Sequence, residues 1–343
     1  MVGGLGHAFG AFIVPGLAAL GLGLGGWWVL LPVIWFAGLA ALLDLLLPEE
    51  TRFRVPDGGT GGGWVVWAMF PLLAGLLAYA LHLVAAGAFT FWEFLGAALA
   101  VGLVQGSVGL TAAHELIHRP RLWERGLGVA ISSLVLWAVF RIEHVHGHHR
   151  TVGTPDDPTT ARLGESLYAY IPRSVLGGLT ESWRLERERL HRRGMGPWHW
   201  RNRNLHYAVI QGALLVGVTL WAGLPGLLFF VIQAWIAVQL LMTTGYIEHY
   251  GLQRRPDGRG GWERIGARHS WNSAHRLTNW TTFNLGLHAE HHRWPGKAFP
   301  ELVDDLDAMR MPFGYPGMAL LAMVPPLWFR VMDPLVLQAR AAA

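Results

Sequence analysis

Seventeen histidines stand in this chain, and twelve fall between His114 and His149 or between His249 and His292, windows that make up less than a quarter of its length. They form His114-Glu-Leu-Ile-His118, His144-Val-His-Gly-His148-His149 and His288-Ala-Glu-His291-His292. On an α-helix, side chains four residues apart lie one above the other. The spacing therefore predicts that His114 with His118, His144 with His148, and His288 with His292 each grip one side of a metal site. An adjacent His-His pair adds a ligand turned by about 100°. Neutral imidazole suits iron, zinc, copper and nickel, and eight such ligands exceed what one tetrahedral or octahedral ion takes. Two metal ions are the economical reading. Haem would need one axial histidine from each of two helices and leaves the adjacent pairs unexplained. The chain has no cysteine, which excludes thiolate zinc, cysteine-held iron–sulfur clusters and disulfides.

The elements that must position these histidines are apolar helices. Charged residues make up 15% of the chain and apolar ones 52%, against about a quarter charged in soluble domains. The apolar residues gather into charge-free blocks long enough to cross a bilayer. Residues 1–43 carry no charge before Asp44, room for two helices joined at Gly21–Gly26. The block from Gly58 to Trp92 supplies a third, Glu93 precedes a fourth, and Gly223-Leu-Pro-Gly226 divides the block from Asn204 to Ile247 into two more. The expectation is an all-α, polytopic membrane protein of one domain over 1–343, with six spans near 7–25, 27–47, 64–86, 94–113, 205–222 and 226–247. The uncharged stretch 126–140 is too short to cross and reads as a re-entrant or buried helix. Pro316, Pro325 and Pro326 would break a span over 315–329, which reads as interfacial. No positive segment precedes the first apolar stretch, so no cleavable signal is expected.

Arginine sets the orientation. Residues 119–204 hold fourteen Arg against eight acids, and 251–300 hold eight Lys or Arg against three. By the positive-inside rule, segments 114–204 and 248–343 form a cytoplasmic helical cap and both termini lie inside. These arginines read equally well as serving only to orient the chain and meet anionic membrane lipid, or as having a further role; nothing in the chain points to nucleic acid. The first histidine motif continues the fourth span to its inner end, so the clusters meet on one side. His7, His82, His191, His199 and His206 stand alone and read as ordinary hydrogen-bonding side chains. His146 lies inside a motif but off its i, i+4 face and fits either reading; His269 and His275 have no assigned role.

The three-box pattern resembles the integral-membrane fatty-acid desaturase and hydroxylase superfamily, which holds a di-iron centre with histidines. Tyr246-Ile-Glu-His-Tyr-Gly-Leu252, His269-Ser-Trp-Asn-Ser-Ala-His275 and the run from Glu143 through Thr154-Pro-Asp-Asp-Pro158 are similar to signatures of its AlkB-type alkane 1-monooxygenases. The likeness covers most of the chain from Leu110 onward. It implies nine iron ligands: His114, His118, His144, His148, His149, His249, His288, His291 and His292. His249 enters chiefly through this resemblance. Glu115, Glu143, Glu248 and Glu290 lie beside ligands and read either as acceptors for an imidazole's outer nitrogen or as ordinary interfacial carboxylates. Asp44, a carboxylate near the inner end of an apolar helix, needs a partner and joins that set. The chain departs from the family pattern at Leu285-Gly-Leu-His288, at Glu290 and at Gly245, where Asn is common.

An unactivated C–H bond offers no charge for acid–base groups to attack, so a cofactor must carry the step. The resemblance implies terminal hydroxylation of medium- to long-chain alkanes to 1-alkanols with O2 at two iron ions in a bacterial cytoplasmic (inner) membrane. Its electrons would come from a separate rubredoxin and rubredoxin reductase, since no flavin or NAD fingerprint stands in a strand–turn–helix context. The arginines from Arg184 to Arg203 are expected to steer an acidic donor. A fatty-acid desaturase or a xylene-type methyl hydroxylase would use the same boxes. A membrane metal transporter would instead line a path near the bilayer midplane.

Overall fold

The computed structural model describes residues 2–51 and 63–341. The residues at which the uncharged block from Gly58 begins lie outside that range. Helices dominate, and among the described residues the only sheet is a parallel pair, Trp271–Asn272 with Met309–Arg310. Five helices are long and apolar enough to cross a membrane: Leu5–Leu24, Gly26–Leu46, Gly63–Ala85, Phe91–Ile117 and Arg203–His249.

The last of these has 47 residues. Straight, it would run about 70 Å, more than twice the roughly 30 Å hydrocarbon layer. Gly223, at φ +64°, interrupts it, and the two predicted spans 205–222 and 226–247 fall on its two arms. Only glycine takes that backbone conformation without strain. A further apolar pair, Tyr315–Ala322 and Pro325–Ala341, bends by 118° at its break, where Pro325 opens the second helix, so the 315–329 segment does not run straight across. Leu122–Ser133 forms the short helix expected in the 126–140 stretch and ends before Leu136, at φ +55°.

The fourth span begins three residues earlier than its charge suggested. Thr90 caps the helix by accepting from the Glu93 N–H, while Glu93 reaches back to the Thr90 N–H at 2.8 Å. This reciprocal arrangement draws Glu93 into the first turn instead of leaving it outside. Farther along, small residues let the helix meet its neighbour closely. A Cβ at Gly102 would stand 2.8 Å from the Gln233 carbonyl oxygen, and one at Gly106 would stand 2.9 Å from the Ala237 Cα. This contact locks Phe91–Ile117 to Arg203–His249, the two helices that end on His114 and His249.

Candidate metal centre

All nine histidines converge. Their ligand atoms form two groups, each with every atom within 4.8 Å of the others: His114, His118, His144, His149 and His291 in one, and His148, His249, His288 and His292 in the other. The groups touch, with the His149 and His292 rings 4.4 Å apart between centroids.

One pairing differs from the α-helical expectation. His144 and His148 belong to different groups, and His144 instead meets His149, Nε2 to Nε2, at 3.1 Å. The cause is local: Glu143–His148 is a π-helical turn. Its bonds run from residue i to i+5, so residues five apart align where an α-helix would align residues four apart. His148 is thereby released to the second group. The other two boxes behave as α-helices, and each keeps its i, i+4 pair, His114 with His118 and His288 with His292, together.

The donor set fits metal ions. Around an ion bound at about 2.1 Å, nitrogens at right angles stand about 3.0 Å apart. His149 Nε2 lies 3.1 Å from both His144 Nε2 and His291 Nε2, while His288 Nε2 lies 3.1 Å from His249 Nε2 and 3.0 Å from His292 Nε2. The buried Nε2 atoms of His114 and His118 have no hydrogen-bond partner among the described residues. Burial holds His118, His144, His149, His288, His291 and His292 well below the ordinary imidazole range, and neighbouring histidines add to the effect. They stay neutral, the state in which imidazole ligates.

Outer nitrogens are supported in the four-histidine group. His148 Nδ1 donates to Asp157 Oδ2 at 2.9 Å and lies 2.7 Å from Thr159 Oγ1, which itself donates to Asp157 Oδ1. Such a partner fixes the tautomer and leaves Nε2 for a metal. Burial opposes ionisation of Asp157, but the His148 imidazole and the hydrogen bonds from His148, Thr160 and Thr159 override it and draw the carboxyl down to about 2. His249 Nδ1 donates to the His269 carbonyl at 3.2 Å. Sequence reasoning assigned a role to neither Asp157 nor His269. The available signal was the Thr154-Pro-Asp-Asp-Pro158 run, which begins five residues past the box.

The five predicted carboxylates divide. Glu248 lies 3.3 Å from His288 Nε2 and accepts from the Tyr315 hydroxyl at 2.6 Å. Glu143 is buried and lines a small cavity with His114, His144 and His148. Glu115 accepts from the Phe299 N–H and pairs with Arg119, and Glu290 pairs with Lys297. Asp44 accepts from the Leu277 and Thr278 N–H groups and the Thr278 hydroxyl, capping helix Arg276–Thr281. These last three brace the fold around the site, and none bonds a histidine of either group. His146 lies 3.3 Å from the Arg203 guanidinium, His275 bonds Ser273, and His7 bonds Asn284. His7, His82, His191, His199 and His206 join neither group.

Two cavities meet beside the histidines. The smaller, about 50 Å3, touches both groups through His114, His144, His148 and His288. The larger, about 310 Å3, is apolar and runs between Trp35, Phe36, Leu99, Leu103, Leu240 and Met323. Gly106, Thr111, Thr244 and Leu285 wall both.

The fatty acid desaturase family profile matches residues 90–320. The chain is 38% identical to alkane 1-monooxygenase 2 of Pseudomonas aeruginosa, over 93% of its own length and 90% of that protein. It is 39% identical to alkane 1-monooxygenase 1 of the same organism, over 90% and 83%. The chain belongs to the alkane 1-monooxygenase family. Likeness extends to the xylene/toluene monooxygenase hydroxylase component of Pseudomonas putida, 28% identical over 94% of this chain and 86% of that one. As a member of the alkane 1-monooxygenase family, the protein is an integral-membrane oxidoreductase that hydroxylates a hydrophobic substrate at a histidine-rich metal centre and draws on a redox partner.

Proposed function

We propose that the protein hydroxylates the terminal carbon of medium- to long-chain alkanes to 1-alkanols, using O2 and two electrons from rubredoxin. The nine histidines are its ligands to two iron ions, five on one and four on the other. The observation that carries this reading is the apolar cavity sharing four wall residues with a small chamber that touches both histidine groups. Iron with O2 supplies the oxidising power to break an unactivated C–H bond.

The protein's own residues position and exclude. At about 310 Å3 the cavity sits at the lower end of the usual ligand-pocket range of about 300–1,000 Å3 and can hold a flexible hydrocarbon. Thr111 and Thr244 donate their hydroxyl hydrogens to the carbonyls of Ser107 and Leu240, so the wall shared by cavity and chamber offers no free donor from either. The chamber is small enough to present one end of a chain, which supports terminal attack. Asp157 holds His148 in one tautomer and keeps that ring aimed, while Glu248 stands on the metal-facing side of His288, against its Nε2.

Among the described residues no cation lines the apolar cavity, and the one charged wall residue, Asp44, is committed to helix Arg276–Thr281. A fatty-acid carboxylate would find no partner there, which favours a hydrocarbon over the desaturase reading. Basic segments 114–204 and 248–343 support a cytoplasmic site, with both termini inside the bacterial inner membrane. The histidines gather at helix ends instead of lining a midplane path, which argues against metal transport. The test is metal content and Mössbauer spectroscopy on iron-labelled protein, then octane turnover with rubredoxin, its reductase and NADH. Two irons per chain and 1-octanol are expected; two irons without 1-octanol would move the assignment to desaturation or another hydrocarbon.

A further inference from the structure

On the polar side of the histidine cluster a cleft of about 890 Å3 opens, and His149 forms part of its floor. Seven arginines line it against three acids, Glu263, Asp305 and Asp307. The acids offset little of this charge. Glu263 is engaged by the His269 ring and the Arg255 N–H, while Asp305 accepts from the Asp307 N–H and reaches Arg293 at 3.5 Å. Arg254 and Arg340 turn their guanidiniums to backbone carbonyls, of Glu263 and Arg150 and of Gly251, and neither has a carboxylate within ion-pair distance among the described residues. Arg150, Arg255 and Arg264 are exposed, and among the described residues no carboxylate lies within ion-pair distance of them.

The arginines between Arg184 and Arg203, singled out by charge count, divide. Arg184 pairs with Glu181 and Glu188, and Arg189 and Arg203 both grip the buried Glu186. Arg187, Arg192, Arg193 and Arg201 have no carboxylate within ion-pair distance among the described residues, so what sets the cleft apart is its contact with His149. The cleft remains positive and ends on a mostly buried member of the five-histidine group, His149, whose edge is open to it.

We propose that this cleft, floored by His149, is the docking surface for a small acidic one-electron carrier protein, and that electrons enter the metal centre through the five-histidine group. This rests on the rubredoxin reading above. Positive clefts raise the association rate of an acidic partner by about 10 to 1,000-fold at low salt. The exposed Trp294 at the rim gives the carrier an apolar contact beside His291 and His292.

The test uses the full-length, iron-loaded protein in lipid nanodiscs with two probes. Redox-inert zinc-substituted rubredoxin reports binding, and reduced iron rubredoxin reports electron transfer through its visible absorption. The double charge reversal Arg255→Glu with Arg264→Glu should weaken binding at least tenfold at low salt, flatten the salt dependence and slow rubredoxin oxidation in parallel. Iron content and dithionite-driven octane hydroxylation should stay at wild-type levels. The control reversal Arg187→Glu with Arg192→Glu should change binding less than twofold. If the first pair loses iron, Arg255→Gln with Arg264→Gln carries the same comparison. Unchanged binding in the cleft variant, with wild type still accepting electrons, would overturn the cleft assignment and leave the donor reading intact. A wild type that rubredoxin never reduces, although dithionite drives hydroxylation, would overturn the donor reading and the docking claim together.

Discussion

The two histidine groups share residue type and neighbourhood, yet they are supported differently. The four-histidine group is wholly buried, with Asp157 and the His269 carbonyl holding two of its outer nitrogens. In the five-histidine group His118 and His149 are partly exposed, and among the described residues no carboxylate or carbonyl holds the outer nitrogen of any member. Its brace is indirect. Glu186 grips Arg203, and Arg203 meets His146 within the π turn that carries His144 and His148. A metal position gains order from fixed ligand orientation and gains access from exposed ligand edges. One group has more of the first and the other more of the second.

Removing a ligand from each group breaks this comparison most directly. His288→Ala and His291→Ala should each abolish octane hydroxylation, by a factor on the order of 1,000 or more. Each should lower iron from two per chain to about one, measured by elemental analysis. Loss of both irons in either variant would mean that the groups load as one unit. Asp157 comes next. Asp157→Asn removes the charge that supports His148, and second-layer changes of this kind typically cost about 10 to 100-fold in metal affinity. Chelator titration of the purified variant should show one iron leaving early and the other at its wild-type concentration. Early loss of both, or of neither, would show that Asp157 does not support one group selectively.

How legible these groups were in the sequence depends on the local helix. Eight of the converging histidines followed from spacing alone, and His114/His118 and His288/His292 stay paired because they sit on α-helices where i, i+4 means one face. The partition of His144 and His148 did not follow. A π turn is a rare local choice stabilised by tertiary packing, and nothing in Glu143-His-Val-His-Gly-His148 declares it. The spans were readable to within a few residues from their missing charges. The capping box at Thr90 was also present in the letters, although charge alone placed Glu93 outside the helix. Asp44 was recognised as a buried carboxylate needing a partner. That its partners are Leu277 and Thr278, 233 and 234 residues away, is long-range information that local pattern does not carry.

The ionic brace behind the five-histidine group gives a smaller effect with a pH signature. Burial works against ionisation of Glu186, but hydrogen bonds from Arg189 and Arg203 override it and draw its pKa to about 2. Unfolded, the group titrates near its ordinary value of about 4.3. A depressed folded pKa contributes stability above about pH 4.3, and that contribution is lost as pH falls through about 2. Glu186→Gln should therefore destabilise the protein by about 3 kcal/mol at pH 7, with the gap to wild type closing between about pH 4.3 and 2. Thermal unfolding in detergent across that range measures it; a pH-independent gap would mean that packing, not charge, holds the brace.

The smallest effects should come from the chamber shared by both groups. Gly245 lines it, and a Cβ there would meet only the Tyr170 hydroxyl, at 3.2 Å, so the neighbour must give by a few tenths of an ångström. Gly245→Ala narrows a space of about 50 Å3 without unfolding it, and should lower octane turnover by about three- to fivefold while leaving two irons in place. Thr244, one residue earlier, lines both the chamber and the apolar cavity, and its hydroxyl donates to the Leu240 carbonyl. Thr244→Val keeps the shape and removes a group the substrate does not meet, so turnover should change by less than about twofold. The contrast separates volume from polarity as the property that matters where the two groups face the substrate. Equal losses in both variants would show that the Thr244 hydroxyl reaches the substrate, and the passage would then have a polar contact that its hydrogen bond to Leu240 does not suggest.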